Sequence, residues 1–306
     1  MVSASSLTAP AVSAAREWAD KYPRAPRYAE GELHRRMAVD GTRLSIAVLP
    51  GPPDAPADVV VVHGILNSSR SPKIYEFAHH LAEHFRVIVP DLRGHGASEG
   101  ECTFGLLEPL DVAAAVELAR PQRPIVTIGT SLGAAAVLMH AGLFSPVRPL
   151  AGVVSVSAPG YWGDTSRPGA HRALQFATSR WRRLSVRALT GAHLAPPRVA
   201  VGQIDLALAG IRAGFVVLAH DPSDGYFGPD HALHLHAHVG APSELWWLPG
   251  AGHGSDVLGA AFSQRVIRTI RNRVALTPQS CDAETARSGA FATSERGGRR
   301  GLPKHN

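Results

Sequence analysis

Ile125-Val126-Thr127-Ile128-Gly129-Thr130-Ser131-Leu132-Gly133-Ala134-Ala135-Ala136-Val137-Leu138 is the stretch that decides how the rest of this chain is read. Its first four residues are apolar or β-branched, as in a strand buried on both faces, and its last five favour a helix. Between them stands Gly129-x-Ser131-x-Gly133. A serine exposed on so sharp a strand-to-helix turn sits in strained backbone. A Cβ two residues before or after it would collide with the neighbouring turn, so glycine is the residue that fits. The following helix then points its first N–H groups at the serine. The pattern therefore predicts Ser131 as a nucleophile.

Short apolar runs recur on both sides of this stretch. Val59–Val62, Val87–Val89, Val153–Val156, Phe215–Ala219 and Glu244–Leu248 have the length and composition of buried strands. Between or after them, Ser71–His84, Glu108–Arg120, Ser131–Ala141 and Ser255–Arg273 suit helices. Strand and helix in alternation predict an α/β fold with a mostly parallel sheet flanked by helices. Upstream, Leu33–Met37 and Leu44–Leu49 flank Asp40-Gly41, a two-residue hairpin signal, so an antiparallel pair is expected to open the sheet. Three stretches break the alternation. Residues 1–30 read as a polar extension with one helix over Val12–Lys21, and residues 276–306 as a disordered tail rich in Ser, Gly and Arg. Residues 161–209 are too long for one crossover helix and read as a small helical cap inserted over the edge of a domain spanning 31–275.

Composition narrows the function class. The 306 residues are 45% hydrophobic and 18% charged, enough to bury a large core. Cys102 and Cys281 are too few for a disulfide scaffold or a thiolate zinc site. No apolar run reaches the roughly 20 residues of a membrane helix, and Met1–Ala15 lacks the basic start of a secretory signal, so a cytoplasmic protein without stable membrane insertion is expected. The net charge of +6 is concentrated: from Tyr161 to Arg198 seven arginines face Asp164 alone. Arg180-Trp181-Arg182-Arg183 could attract an anionic head group or membrane surface, although such a run is more often the solvated outer face of a cap. No nucleic-acid-binding module accompanies the charge.

A serine hydroxyl is a poor nucleophile near neutral pH and needs a base, and the base needs an orienting group. His253 stands in the Gly-flanked loop Leu248-Pro249-Gly250-Ala251-Gly252-His253-Gly254. Asp221 and Asp224 both follow the run ending at Ala219, at a strand's C-terminal end, where ligand chemistry gathers in open α/β sheets. Asp256 is the poorer candidate acid, since it is expected to open and cap the last helix.

These motifs, with Val60-Val61-Val62-His63-Gly64 and Asp91-Leu92-Arg93-Gly94-His95-Gly96-Ala97-Ser98, follow one another in an order that resembles the α/β-hydrolase fold superfamily over residues 33–273, in its esterase and lysophospholipase-like branch. The acid loop of that family reads HG-x-x-D. Laid on His220-Asp221-Pro222-Ser223-Asp224, the resemblance favours Asp224 as the acid, with Asp221 departing from the pattern at the Gly position. It also implies an oxyanion hole from the backbone N–H groups of Ile65 and Leu132, with Asn67, Ser68 and Ser69 close by. It gives Asp91 and Arg93 a structural role in their turn, and leaves His95 outside the catalytic set.

The implied activity is hydrolysis of a small-molecule carboxylic ester by Ser131, His253 and Asp224 through an acyl-enzyme, with no cofactor and no metal. Trp162, Leu174, Phe176, Trp181, Leu184 and Leu189 are expected to line an acyl pocket. Three rivals remain: thioester, lactone or amide cleavage by the same triad, a hydrolase-fold binder of small ligands with little turnover, and a metal site built from His231, His234, His236 and His238. The histidine cluster fits a surface helix better than a ligand set.

Overall fold

The computed structural model describes residues 31–144, 148–161, 163–164, 166–197 and 203–275. The expected helix over Val12–Lys21, the tail from residue 276 and Trp162 lie outside them. Eight strands form one sheet: β1 (Glu32–Met37), β2 (Arg43–Leu49), β3 (Asp58–Val62), β4 (Arg86–Pro90), β5 (Ile125–Thr130), β6 (Gly152–Val156), β7 (Val216–His220) and β8 (Ser243–Trp247). Their order across the sheet is β1-β2-β4-β3-β5-β6-β7-β8. β2 runs antiparallel to β1 and β4, and every other neighbouring pair is parallel.

The opening hairpin turns differently from the two-residue expectation. Ala38 N–H donates to the Thr42 carbonyl at 2.9 Å, which leaves Val39-Asp40-Gly41 as a three-residue loop with Gly41 at φ +86°. A third loop residue in the left-handed region is what lets strands of ordinary twist meet across such a loop, and glycine takes that conformation without a Cβ clash.

Helices cover both faces of the sheet because consecutive strand side chains point to opposite sides. Val59 and Val61 join the core beneath α1 (Pro72–Ala82) and α8 (Ala260–Ala275), with Phe77, Leu81, Val266 and Ile270. Val60 and Val62 join the opposite core beneath α2 (Glu108–Val116), α3 (Leu132–Phe144) and α6 (Gln203–Gly210), with Leu138 and Leu208. This double burial explains why the central strands read as unbroken apolar runs. A Cβ at Gly142 would lie 1.8 Å from the Ala207 carbonyl, so α3 and α6 approach backbone to backbone.

Between β6 and β7 the chain also forms α4 (Pro168–Thr178) and α5 (Arg180–Thr190), while α7 (Pro229–His238) follows β7. Ser179 ends α4 and caps α5 by accepting from Arg182 N–H. Residues after α5 return to the body of the protein: His193 N–H donates to the Gly94 carbonyl, and Cys102 N–H to the His193 carbonyl, both at 2.7 Å. The last helix starts later than the sequence suggested. Asp256 lies in a 3-10 turn over Gly254–Val257 and α8 begins only at Ala260, so Asp256 caps no α-helix. The Gly252-His253-Gly254 stretch, positive in φ at both glycines, spends several residues in a turn before a helix can start.

Candidate active site

The turn between β5 and α3 is as tight as the glycine spacing demands. Ser131 has φ +51°, a region costly for a residue with a Cβ, and its N–H is held by the Val156 carbonyl at 2.8 Å. A Cβ at Gly129 would lie 2.2 Å from the Gly133 carbonyl oxygen, and one at Gly133 would lie 2.4 Å from the His63 oxygen. Both obstacles are main chain, so neither position can yield to a larger residue. The elbow thus pushes the Ser131 side chain out at the C-terminal end of the sheet.

Two distant loops meet it there. His253 Nε2 lies 2.9 Å from Ser131 Oγ, although the two residues are 122 positions apart. His253 Nδ1 lies 2.7 Å from Asp224 Oδ2. In the resting arrangement the serine hydroxyl donates to Nε2 and Nδ1–H donates to the carboxylate. Asp224 is fully buried, and its Oδ1 accepts from Tyr226 N–H at 2.7 Å and Phe227 N–H at 3.2 Å. Burial opposes its ionisation. The hydrogen bond and charge of His253, with the two backbone donors, outweigh that and hold the carboxyl below its ordinary range.

Asp221 is placed differently. Its Oδ1 accepts from Ser223 N–H and Oγ, and its Oδ2 accepts from Gly252 N–H at 2.7 Å. It ties the acid loop to the histidine loop without touching the imidazole. The imidazole is further fixed by Tyr226, stacked on it with ring centroids 4.2 Å apart, and by Ser157 Oγ, which accepts from Gly254 N–H at 3.1 Å. Nothing in the sequence pattern marks Ser157, whose φ of +53° reflects a bend just after β6.

The loop carrying Ile65 packs against the elbow: a Cβ at Gly64 would meet Ser131 Cβ and the Thr130 oxygen, both at 3.2 Å. Among the described residues neither Ile65 N–H nor Leu132 N–H finds an acceptor in the chain, and both residues line the cavity beside Ser131. Two unsatisfied donors beside one hydroxyl can stabilise a developing negative oxygen. Two buried histidines set the loop's course. His63 Nε2 accepts from Leu92 N–H at 3.0 Å while Nδ1–H donates to the Gly64 carbonyl at 2.7 Å. His95 Nε2 accepts from Leu66 N–H at 3.1 Å while Nδ1–H donates to the Arg93 carbonyl at 3.0 Å. An imidazole that accepts from an amide is neutral, and His95 is thereby engaged away from Ser131. Asp91 adds to the same brace, accepting from Ser69 N–H at 2.7 Å and Ala97 N–H at 2.8 Å.

These neutral histidines carry a consequence for stability. Burial lowers His63 to about 4, as it does the likewise buried His140 of α3, and burial together with the neighbouring His63 lowers His95 to about 4. In the unfolded chain the same groups take up protons near 6.5, so the unfolded state binds more protons between about pH 6.5 and 4. Their contribution is complete above that window and is lost as pH falls through it, by up to roughly 3 kcal/mol per imidazole. Urea unfolding measured from about pH 7 to about 4.5 is expected to show a steep loss of stability. A flat unfolding free energy over that range would contradict the neutral, buried state of these rings.

A cavity of about 200 Å³, walled mostly by apolar groups, opens over Ser131 and His253. Leu174 and Phe176 of α4 line it as the sequence suggested, joined by Val186 of α5, Phe104 and Tyr226. Trp181, Leu184 and Leu189 do not. They are 72%, 46% and 46% exposed, because the inward side of α5 is occupied by Val186, five residues from Trp181 and on the opposite face.

The histidines of α7 form no metal cluster. His231 Nε2 lies 3.0 Å from Asp164 Oδ2, His234 Nε2 lies 2.7 Å from Asp205, and His236 Nδ1 lies 2.9 Å from Ser243 Oγ. His238 Nδ1 donates to the His234 carbonyl. Among the described residues no three potential ligands converge on one point. His231 is instead fully buried and accepts from Gly160 N–H at Nδ1, so it joins α7 to the start of the insertion. Its hydrogen bond to Asp164, with the Ser166 donors, lowers that carboxyl to about 2 at the cavity wall.

Residues 59–187 match a family model described as the alpha/beta hydrolase fold. A stretch of 94 residues, 31% of this chain, is 33% identical to lipase LipV of Mycobacterium tuberculosis, and it spans only about a third of that relative's length. Among solved structures, an esterase of Pyrococcus furiosus, Pf2001, superposes with a TM-score of 0.62 at 18% identity, covering 82% of this chain and 98% of that one. The esterase RhEst1 of Rhodococcus sp. ECU1013 superposes with a TM-score of 0.56 at 21% identity, covering 80% and 99%. At such identities the likeness is one of fold. Among the described residues no helix is long and apolar enough to cross a membrane.

Proposed function

We propose that this chain, which has the α/β-hydrolase fold, is a serine hydrolase that cleaves a small carboxylic ester through Ser131, His253 and Asp224. One observation carries the reading: a continuous hydrogen-bonded line from Ser131 Oγ through the His253 ring to a buried carboxylate, at the wall of an apolar cavity. Ser131 Oγ attacks the acyl carbon as its proton passes to His253 Nε2, and the carbonyl oxygen takes the negative charge toward Ile65 and Leu132 N–H. The imidazolium, steadied by Asp224, then protonates the leaving alcohol as the C–O bond breaks, leaving an acyl-serine. Water attacks that ester with His253 as base, and the acid product departs with Ser131 restored. The steps call on no other group.

Esterase and lipase relatives support the reaction class. Phe104, Leu174, Phe176 and Val186 suit the cavity to a small apolar acyl group. A panel of p-nitrophenyl esters, lysophospholipids and acyl thioesters tests this. Turnover is expected on short p-nitrophenyl esters and is expected to fall sharply for bulky, branched acyl groups. Saturable binding of such esters without any turnover would instead make the chain a binder that shares the hydrolase fold.

A further inference from the structure

The helix that closes the cavity from above is amphipathic in an unusual sense: it turns its bulkiest apolar side chains to the outside. On α5, Val186 points into the cavity, and the opposite face carries Trp181, Leu184 and Ala188. Exposed Arg180 and Arg187 run along one border of this face, while Arg182 turns toward α4, where its guanidinium lies over the Phe176 ring and donates to Gln175 Oε1 at 3.3 Å. Among the described residues none of these arginines is paired with a carboxylate. No Asp or Glu occurs anywhere from residue 165 to 204. Leu174 of the neighbouring α4 lines the cavity and is also 40% exposed, so the rim of the cavity adjoins this surface.

We propose that the outward face of α5 docks on an anionic lipid surface. The argument is one of charge and shape together. A Trp and a Leu in the middle of a helix face gain by entering the boundary between head groups and acyl chains, where an indole is well accommodated. Arg180 and Arg187 along one border then lie at the level of the phosphates, and an anionic surface attracts both of them. A polyanion without an apolar layer would satisfy the arginines and leave Trp181 and Leu184 in water, so the lipid surface is the occupant that matches the whole face. Docked this way, the protein sets the rim of its cavity beside the lipid. The docking rests on this face alone and not on Ser131, so Ser131→Ala is expected to bind lipid as the unaltered chain does. Failure of docking and failure of the catalytic reading are thereby separate results.

The test is co-sedimentation of the full chain with vesicles of phosphatidylcholine alone or with a quarter of phosphatidylglycerol. Binding to the anionic vesicles is expected to exceed binding to the neutral ones by at least about tenfold. The double variant R180E/R187E is expected to lose most of that binding, and Trp181→Ala to weaken it several-fold. Both are expected to keep ester turnover on a soluble substrate, which verifies that they fold. R268E/R271E makes the same charge change at exposed arginines elsewhere and is expected to bind like the unaltered chain. Equal binding to both vesicles, no binding, or equal loss in the two double variants would overturn the proposal. A particle mass of two chains that drops to one in the α5 variants, without vesicle binding, would assign the face to a second copy instead.

Discussion

Ser131→Ala is expected to abolish labelling by a fluorophosphonate probe and to lower kcat by about 10⁵- to 10⁶-fold, the scale seen when a serine nucleophile is removed from a triad. The fold should survive. Alanine keeps the Cβ that already tolerates φ +51°, and the N–H to Val156 and the carbonyl to Ala134 and Ala135 are main-chain bonds. The lost hydroxyl leaves His253 Nε2 facing the cavity, where water can replace it. Residual turnover from the two N–H donors alone is expected to stay roughly 10³-fold above the uncatalysed rate. Probe labelling undiminished in this variant, or turnover within about tenfold of the unaltered chain, would remove Ser131 from its role.

Asp224→Asn is expected to lower kcat by about 10⁴-fold with KM little changed, and the reason lies in its other oxygen. Oδ1 accepts from Tyr226 and Phe227 N–H, so an asparagine must keep its carbonyl oxygen there and turn its NH₂ toward His253 Nδ1. Nδ1 then becomes an acceptor and the ring proton moves to Nε2, which can no longer take the proton of Ser131. Asp221→Asn has the opposite profile. Its Oδ2 accepts from Gly252 N–H, and losing that bond costs stability, about 1–3 kcal/mol, with kcat reduced by at most about tenfold. Thermal or urea unfolding beside steady-state kinetics separates the two. If Asp221→Asn proved the more damaging to kcat, the carboxylate partner of the histidine would be the wrong one of the pair.

Why the sequence alone left these two aspartates open is a matter of geometry. Both follow β7, both sit within a few residues of one another, and both are buried. Only the path of the loop decides which carboxylate reaches Nδ1 and which reaches the backbone before it. The same holds for α5. A helix of Arg, Trp and Leu has two candidate inward faces by composition, and it was Trp181 and Leu184 that suggested a pocket lining. The close fit of Val186 over the cavity settled the rotation and sent the tryptophan outward. His231 shows the limit of spacing arguments: its period suggested ligands, while its burial against Asp164 and Gly160 depends on a segment about seventy residues away.

By itself the sequence determined the alternation of strands and helices, the doubly buried sheet, and the strand-turn-helix that exposes Ser131. These depend on side-chain period and on backbone conformations that only glycine relieves, and both are written within a few residues. The tertiary structure decided which acid meets His253, where the last helix begins, and which face of α5 meets solvent. Those are contacts between segments far apart in the chain. Their choice follows from how the loops close and what each packed face excludes, and no local pattern encodes it.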